Sequence, residues 1–509
     1  CLSERYHTFY EIEQKLHEWE SEFSANDTPW PTHYPDSGII YQLYEIGRSG
    51  NDDLPIYAVK LSYNADIDED EARVLILGQC HAEEIYGVEI AMELIDWLLH
   101  PNAFYPVGYT DRKLSIQNTE LWVIPTHNPE GLLTVHGDTL NGNWIQDEWY
   151  RKNKTDINAN GIFDYVYGPG NDSDGVDLNR NYDYAWNCQG IYEGDCDMSG
   201  SSGSGCNETY RGSAPFSEPE TQIVRDFVYQ HDFKIALNYH SYGNYLIHPW
   251  GYNNTGLELP EEDNETYQEI GEKATLYNDY FLGTGYQTVG YGVNGDSDDW
   301  MYGAEGIIAY TPEIGGNSDG FWPSSSRIVP LAEENLHPNI VVAMYGGALI
   351  SADFNIEEGP YLGENSYPID VMLNNIGLSG SVGITTLEFL SEAGLEFSDN
   401  FIEIDEIDPR SSIDLEGISE FYISPYIPSG IEADITLIMT MEDGSQSTST
   451  ATIIIGEPEI VIDYGFESTE DAQNWDLSGN SNWYITSENS NSGSYSFRSG
   501  SIGDNQEST

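Results

Sequence analysis

Four short apolar runs, separated by amphipathic stretches and turn residues, constrain this chain more than any other feature. They are Ala72 to Cys80 (ARVLILGQC), Glu120 to Pro125 (ELWVIP), Lys234 to Tyr239 (KIALNY) and Gly306 to Tyr310 (GIIAY). Runs this short and apolar read as buried strands, and their alternation with amphipathic helices such as Tyr10 to Trp19 predicts an α/β domain around a largely parallel or mixed sheet. The pattern extends from about residue 5 to residue 350 and closes with a helix over Leu331 to Ile350, bent or restarted at Pro338. In open α/β sheets ligands gather beyond the carboxyl ends of the strands, so the residues just after these runs are where chemistry is expected.

Beyond Ser351 helical spacing disappears and short alternating strands such as Gly380 to Leu390 and Ala433 to Met441 take over, a β-sandwich signal. The stretch Pro368 to Ser381 resembles the opening of immunoglobulin-like or fibronectin-like modules. Near Gly456 the composition shifts again, to aromatic and Ser/Asn-rich sequence that resembles the first strands of a jelly-roll adhesion or carbohydrate-binding module. About fifty residues are too few to close such a module, so a truncated or partly disordered segment is expected there. The expected domains are residues 1–350, 351–456 and 457–509.

With 87 acidic against 18 basic residues the net charge is -69, which repels nucleic acid and anionic membranes alike and suits a hydrated extracellular protein. No apolar run reaches the roughly eighteen residues of a membrane span, and no export signal opens the chain, so any such signal is expected to have been removed or to lie outside this sequence. Of the five cysteines, Cys188, Cys196 and Cys206 share one Gly/Ser-rich loop. That crowding predicts a disulfide and an oxidising compartment, with the pairing left open. Cys80 reads as a buried small residue.

His81 and Glu84 stand at i and i+3 where the first run hands over to a helix expected over Glu84 to Leu99, a spacing that lets both side chains reach one metal ion. Alone, this HxxE is a weak signal. A catalytic zinc needs three protein ligands and an open position, so a third ligand must come from elsewhere. His240, directly after the run KIALNY, is the candidate.

The order of the motifs is more specific than any one of them: HxxE, NPEG at Asn128 to Gly131, YRK around Arg151, GVDLNRN at Gly175 to Asn181, YRG with FSEPE, NYHSY around His240, Tyr291 to Trp300, and YTPEIGG around Glu313. Over about residues 5 to 350 the chain resembles the carboxypeptidase A-like family of zinc metallocarboxypeptidases. The resemblance implies an eight-stranded mixed sheet flanked by helices, one Zn²⁺ held by His81, Glu84 and His240, and Asp177 orienting the first histidine. It implies that Asn179 and Arg180 capture a peptide's C-terminal carboxylate, that Arg151 steadies the oxyanion and that Glu313 is the general base. Tyr291, nine residues before Trp300, takes the position of the mobile tyrosine, with Tyr286 as the alternative. Asp298 takes the pocket-floor position, where an acid pairs with a terminal Lys or Arg, and Asp296 is placed to share that role. Glu83 departs from pancreatic members, which carry Arg between the first two ligands.

A second metal signal lies at Asp156, Asn158, Asn160 and Asp164 (DINANGIFD), which resembles half of a Ca²⁺ loop that Asp172 and Asp174 could complete. A metal-free Asx-rich turn is the alternative. The expected function is a secreted, zinc-dependent exopeptidase acting on peptide C-termini, preferably basic ones. The rival readings are a broad-specificity enzyme, an amidase on the same fold, and a non-catalytic binding or adhesion protein that meets carbohydrate or a cell surface through its β modules. An intact ligand set and base count against loss of catalysis, and the Asn179/Arg180 pair counts against an amidase.

Overall fold

The computed structural model describes residues 6–457, apart from residues 25–33, 35, 36, 70, 101–112, 114, 118, 141, 171, 191, 193 and 443. Beyond residue 457 it describes residues 483–487, 494 and 496–499. The first described helix, α1 (Phe9–Phe23), buries Phe9, Ile12, Leu16, Trp19 and Phe23 at helical spacing. A capping box, in which Glu11 accepts from the Thr8 backbone N–H at 2.9 Å, closes its start. There follow β1 (Tyr41–Arg48), β2 (Pro55–Leu61), β3 (Ala72–Gln79), α2 (Tyr86–Leu99), β4 (Thr119–Thr126), α3 (Pro129–His136) and a small hairpin of β5 (Asp138–Leu140) and β6 (Asn143–Ile145). After a long connection come α4 (Pro219–Gln230), β7 (Phe233–Asn238), β8 (Tyr245–His248), α5 (Glu261–Ala274), β9 (Phe281–Thr284), α6 (Gly285–Thr288), α7 (Ser297–Glu305), β10 (Ile308–Glu313) and α8 (Ile328–Gly346).

The strands form one eight-stranded mixed sheet in the order β1-β2-β4-β3-β7-β10-β8-β9. Its centre, β4-β3-β7-β10, is parallel, and β2 and β8 join it antiparallel on either side. Those four strands are the four apolar runs, and they are buried on both faces because helices cover the sheet on each side. Neighbouring strands β3, β7 and β10 therefore end side by side, two residues before His81, two residues before His240, and on Glu313. Gly78 and Gly87 let α2 start against this edge, since a Cβ on Gly87 would overlap the Gly78 carbonyl.

Two local expectations change. Helix α2 starts at Tyr86, so His81 and Glu84 lie in the turn before it and not on its first turn. Helix α8 runs through Pro338 without restarting, and the chain enters a strand at Ile350. Packing against α2, α5, β3 and β7 holds α8 together across the N–H that proline lacks.

From Ile350 the chain forms two four-stranded antiparallel sheets packed face to face. One contains β11 (Ile350–Asn355), β12 (Ser366–Asn375), β16 (Ser411–Tyr422) and β14 (Glu396–Phe397), in that order. The other contains β15 (Phe401–Ile404), β13 (Thr385–Leu390), β17 (Glu432–Thr440) and β18 (Gln446–Ile454). Alternate residues such as Val371, Leu373, Leu387, Phe421, Ile435 and Leu437 point inward to a shared core. This unit rests on α8 and α5: Leu378 N donates to Tyr345 O at 2.8 Å, and Arg410 pairs with Glu269 at 2.7 Å. Near the C-terminus β19 (Trp483–Thr486) pairs with β20 (Ser496–Ser499), and the rest of the third expected domain lies outside the described residues.

Candidate active site

The strand ends bring His81, Glu84 and His240 together, each nearly fully buried. Glu84 sits between the histidines, its carboxylate oxygens 2.8 Å from His81 Nδ1 and 2.8 Å from His240 Nδ1, and the two ring nitrogens are 3.0 Å apart. His81 Nε2 lies 2.9 Å from Asp177 Oδ1. A carboxylate only accepts, so Nε2 is the nitrogen that donates to Asp177, and Nδ1 is the one turned toward Glu84 and His240. Three donors directed at one point, two nitrogens and a carboxylate, form an arrangement that a cation relieves. It is the donor set of a three-ligand zinc centre, with Asp177 fixing one ring from behind. Among the described residues this is the one cluster of at least three His, Cys, Asp or Glu whose ligand atoms converge. Burial pushes the Glu84 carboxyl up, but the two histidines outweigh it and hold the group well below the usual range.

Around this centre lies a cavity of about 380 Å³ lined by Arg151, Asn179, Arg180, Tyr291, Asp298 and Glu313, among others. Arg151 donates through Nε to Asp177 at 3.0 Å and through Nη1 to Glu84 at 3.2 Å and Glu83 at 3.3 Å, which fixes its plane against the metal site. Glu83 thus has a role that its sequence position did not reveal, as a partner of Arg151. Burial pushes its carboxyl up to about 8. Arg180 donates through Nε to Gly200 O at 2.9 Å and through Nη1 to Asn179 O at 2.8 Å. Asn179 Oδ1 accepts from Ser297 N at 3.0 Å.

Glu313, the last residue of β10, is tied beside the metal site because His240 N donates to Pro312 O at 2.9 Å and Ile314 N to His240 O at 3.0 Å. Burial, and then the nearby Glu84 carboxylate, push its carboxyl up to about 7, where it can take and return a proton near neutrality. Tyr291 lines the cavity and is 54% exposed, whereas Tyr286 is not among the lining residues.

Three buried carboxylates form the far wall. Asp298 accepts from Asn238 Nδ2 and, at 2.6 Å, from Thr311 Oγ1. Asp299 accepts from the backbone N–H groups of Gly251 and Tyr252, both at 2.8 Å. Asp296 caps α7, accepting from Asp299 N at 2.9 Å through Oδ1. Its Oδ2 packs against Gly251 and has no hydrogen-bond partner among the described residues. Burial pushes Asp296 up to about 6 and Asp298 up to about 7. Asp298 thus shares this wall with Asp296 and Asp299, and the carboxylate oxygen without a hydrogen-bond partner among the described residues belongs to Asp296. Its place at the helix N-cap, opposite a glycine, was the available sequence signal.

The calcium expectation finds no support. The carboxylates of the 156–164 segment face local N–H groups: Gly161 N donates to Asp156 Oδ2 at 2.7 Å, and Asn158 Nδ2 to Asp164 Oδ2 at 2.7 Å. Asp174 accepts from Ile157 N and Asp164 N, and Asp172 from Val166 N. These bonds describe the Asx-rich turn. The cysteine loop does carry a disulfide, Cys188 to Cys196, while Cys206 is free and exposed and Cys80 is free and buried.

A two-nitrogen, one-carboxylate metal centre beside a raised carboxyl, opening on a cavity that holds two arginines, defines a metallohydrolase of the peptidase kind. The chain belongs to the zinc carboxypeptidase family, whose family model matches residues 33–338, and it is a metallocarboxypeptidase. It is 28% identical over 358 residues to carboxypeptidase B of Astacus astacus, covering 67% of this chain and 96% of that protein. To the zinc carboxypeptidase of Saccharothrix mutabilis subsp. capreolus it is 28% identical over 307 residues, 58% of this chain and 62% of the relative. Its fold is similar to the crystal structure of carboxypeptidase A from Helicoverpa armigera, with a TM-score of 0.51 at 24% identity over 67% of this chain and 73% of that one.

Proposed function

We propose that this enzyme removes single C-terminal residues from peptides and prefers Lys or Arg at that end. The observation that carries this reading is the cavity's polarity: an arginine clamp near the metal ligands faces a wall of three buried carboxylates, Asp296, Asp298 and Asp299. Asn179 and Arg180 bind the terminal carboxylate, the latter through Nη2, which has no hydrogen-bond partner among the described residues. The terminal side chain then extends toward Asp296 and Asp298. His81, Glu84 and His240 would hold the zinc ion, which when bound would supply Lewis-acid chemistry for the carbonyl and the water. Glu313 takes the proton of the attacking water and returns it to the leaving amine, while Arg151, braced by Asp177 and Glu83, faces the developing oxyanion. Tyr291, at the rim, covers the bound end. The disulfide and the large negative charge support an extracellular setting.

The test is a panel of blocked dipeptides ending in Arg, Lys, Phe, Leu and Glu. Arg and Lys should lead in kcat/KM; a Phe end that outruns Arg by about tenfold, or about 1.4 kcal/mol, ends the basic preference.

A further inference from the structure

The Cys188–Cys196 disulfide and the residues that follow it, Asp197 to Gly200, touch three parts of the substrate cavity, and none of the roles above uses them. Towards the clamp, Gly200 O accepts from Arg180 Nε at 2.9 Å and from Asn294 N at 3.4 Å. Towards the segment that carries Tyr291, Asp197 Oδ2 accepts from Gly292 N at 3.3 Å. The buried Asn294 donates through Nδ2 to Cys196 Sγ at 3.0 Å and Cys188 Sγ at 3.7 Å. Towards the segment after β8, whose Gly251 and Tyr252 N–H groups donate to Asp299, Asp197 N donates to Tyr252 O at 2.9 Å and Asn253 Nδ2 to Asp195 O at 2.6 Å. The fit is tight, since a Cβ on Gly200 would lie 2.5 Å from Asn294 Oδ1.

These contacts make one brace. Arg180 has its Nε and Nη1 donors committed to Gly200 O and Asn179 O, so the direction of its remaining Nη2 donor depends on where Gly200 stands. Gly200 in turn is placed by Asn294, and Asn294 by the disulfide sulfurs. We propose that the Cys188–Cys196 disulfide together with Asp197 to Gly200, with Asn294 as the keystone, is a positioning element that sets Arg180 and the Tyr291 segment for capture of the substrate's C-terminal carboxylate. The inference rests on the reading of Asn179 and Arg180 as the carboxylate clamp. It makes the intact disulfide a determinant of substrate affinity, because none of these bonds reaches the metal ligands or Glu313.

The test compares the whole enzyme with Cys188→Ser/Cys196→Ser and with Asn294→Ala, using a blocked dipeptide ending in free arginine and measuring zinc content and product inhibition by arginine. Both variants should raise KM and the arginine inhibition constant about tenfold while kcat stays within about threefold and zinc remains bound, the pattern of binding lost equally from ground state and transition state. Combining them should add little, since they break one brace. Asn294→Ala keeps the disulfide and so carries the test even if the serine variant does not fold. An unchanged KM in Asn294→Ala, or a fall in kcat at constant KM, overturns the proposal. Wild-type enzyme that fails to hydrolyse free-carboxylate peptides overturns the clamp reading and this inference together.

Discussion

Replacing Asp296 by Asn isolates the charge of the acidic wall with little change of shape. Asn caps a helix about as well as Asp, so the Oδ1 bond to Asp299 N survives and the cost to α7 is a few tenths of a kcal/mol. What goes is the negative charge on the one wall oxygen with no partner among the described residues, while Asp298 and Asp299 keep theirs. A charge-assisted hydrogen bond from a terminal guanidinium or ammonium to such a buried carboxylate is worth about 1.5–3 kcal/mol, or about 10–100-fold in kcat/KM. The assay is kcat/KM for matched dipeptides ending in Arg and Phe. The Arg/Phe ratio should fall by that factor, with the Phe substrate changed less than about threefold. Asp298→Asn should move the ratio less, since both its oxygens are already occupied. Equal losses on both substrates, or a larger shift from Asp298→Asn, would refute the assignment.

Glu313→Gln should lower kcat by about 10²–10⁴-fold while zinc content, measured by atomic absorption, stays at one per chain. Because burial pushes the Asp296 and Asp298 carboxyls up to about 6 and about 7, KM for Arg-ended peptides should fall as pH rises through that window, while KM for Phe-ended ones stays flat. Raised carboxyls favour the folded state when protonated, so their contribution to stability is full below the ordinary carboxylate range and is lost as pH rises through 6 to 7. Thermal melts should show that loss, with saturating arginine offsetting it. Arg410→Ala removes a partly exposed ion pair with Glu269 and a 2.6 Å bond to Ile376 O, and should lower stability by about 1 kcal/mol without changing kcat.

Much of the architecture is legible locally. A central parallel strand has both faces buried, so ARVLILGQ and KIALN announce themselves by composition, and the residues just past each strand lie at the ligand-binding edge. The residue types of the metal cluster and the base are legible for the same reason: His81 and His240 follow such strands by two residues, Glu84 lies in the turn after the first, and Glu313 ends the third. Helix onsets are less so. Glu84 looks like a first-turn acid, yet it precedes α2 because its carboxylate is held by His81, His240 and Ser241 N. The 156–164 segment has the residue types of a calcium loop, and only its hydrogen bonds show those oxygens facing their own backbone.

The sequence by itself determined the sheet's central strands, the set of ligand-type residues and their order, because these depend on burial periodicity and short spacing. The tertiary structure decided which two of three loop cysteines pair, that Glu83 braces Arg151, and that Asp296 keeps a free oxygen where Asp298 does not. Each of those turns on partners brought together by the fold, such as Asn238 and Thr311 for Asp298, and no local pattern records whether a donor has already been supplied from across the molecule.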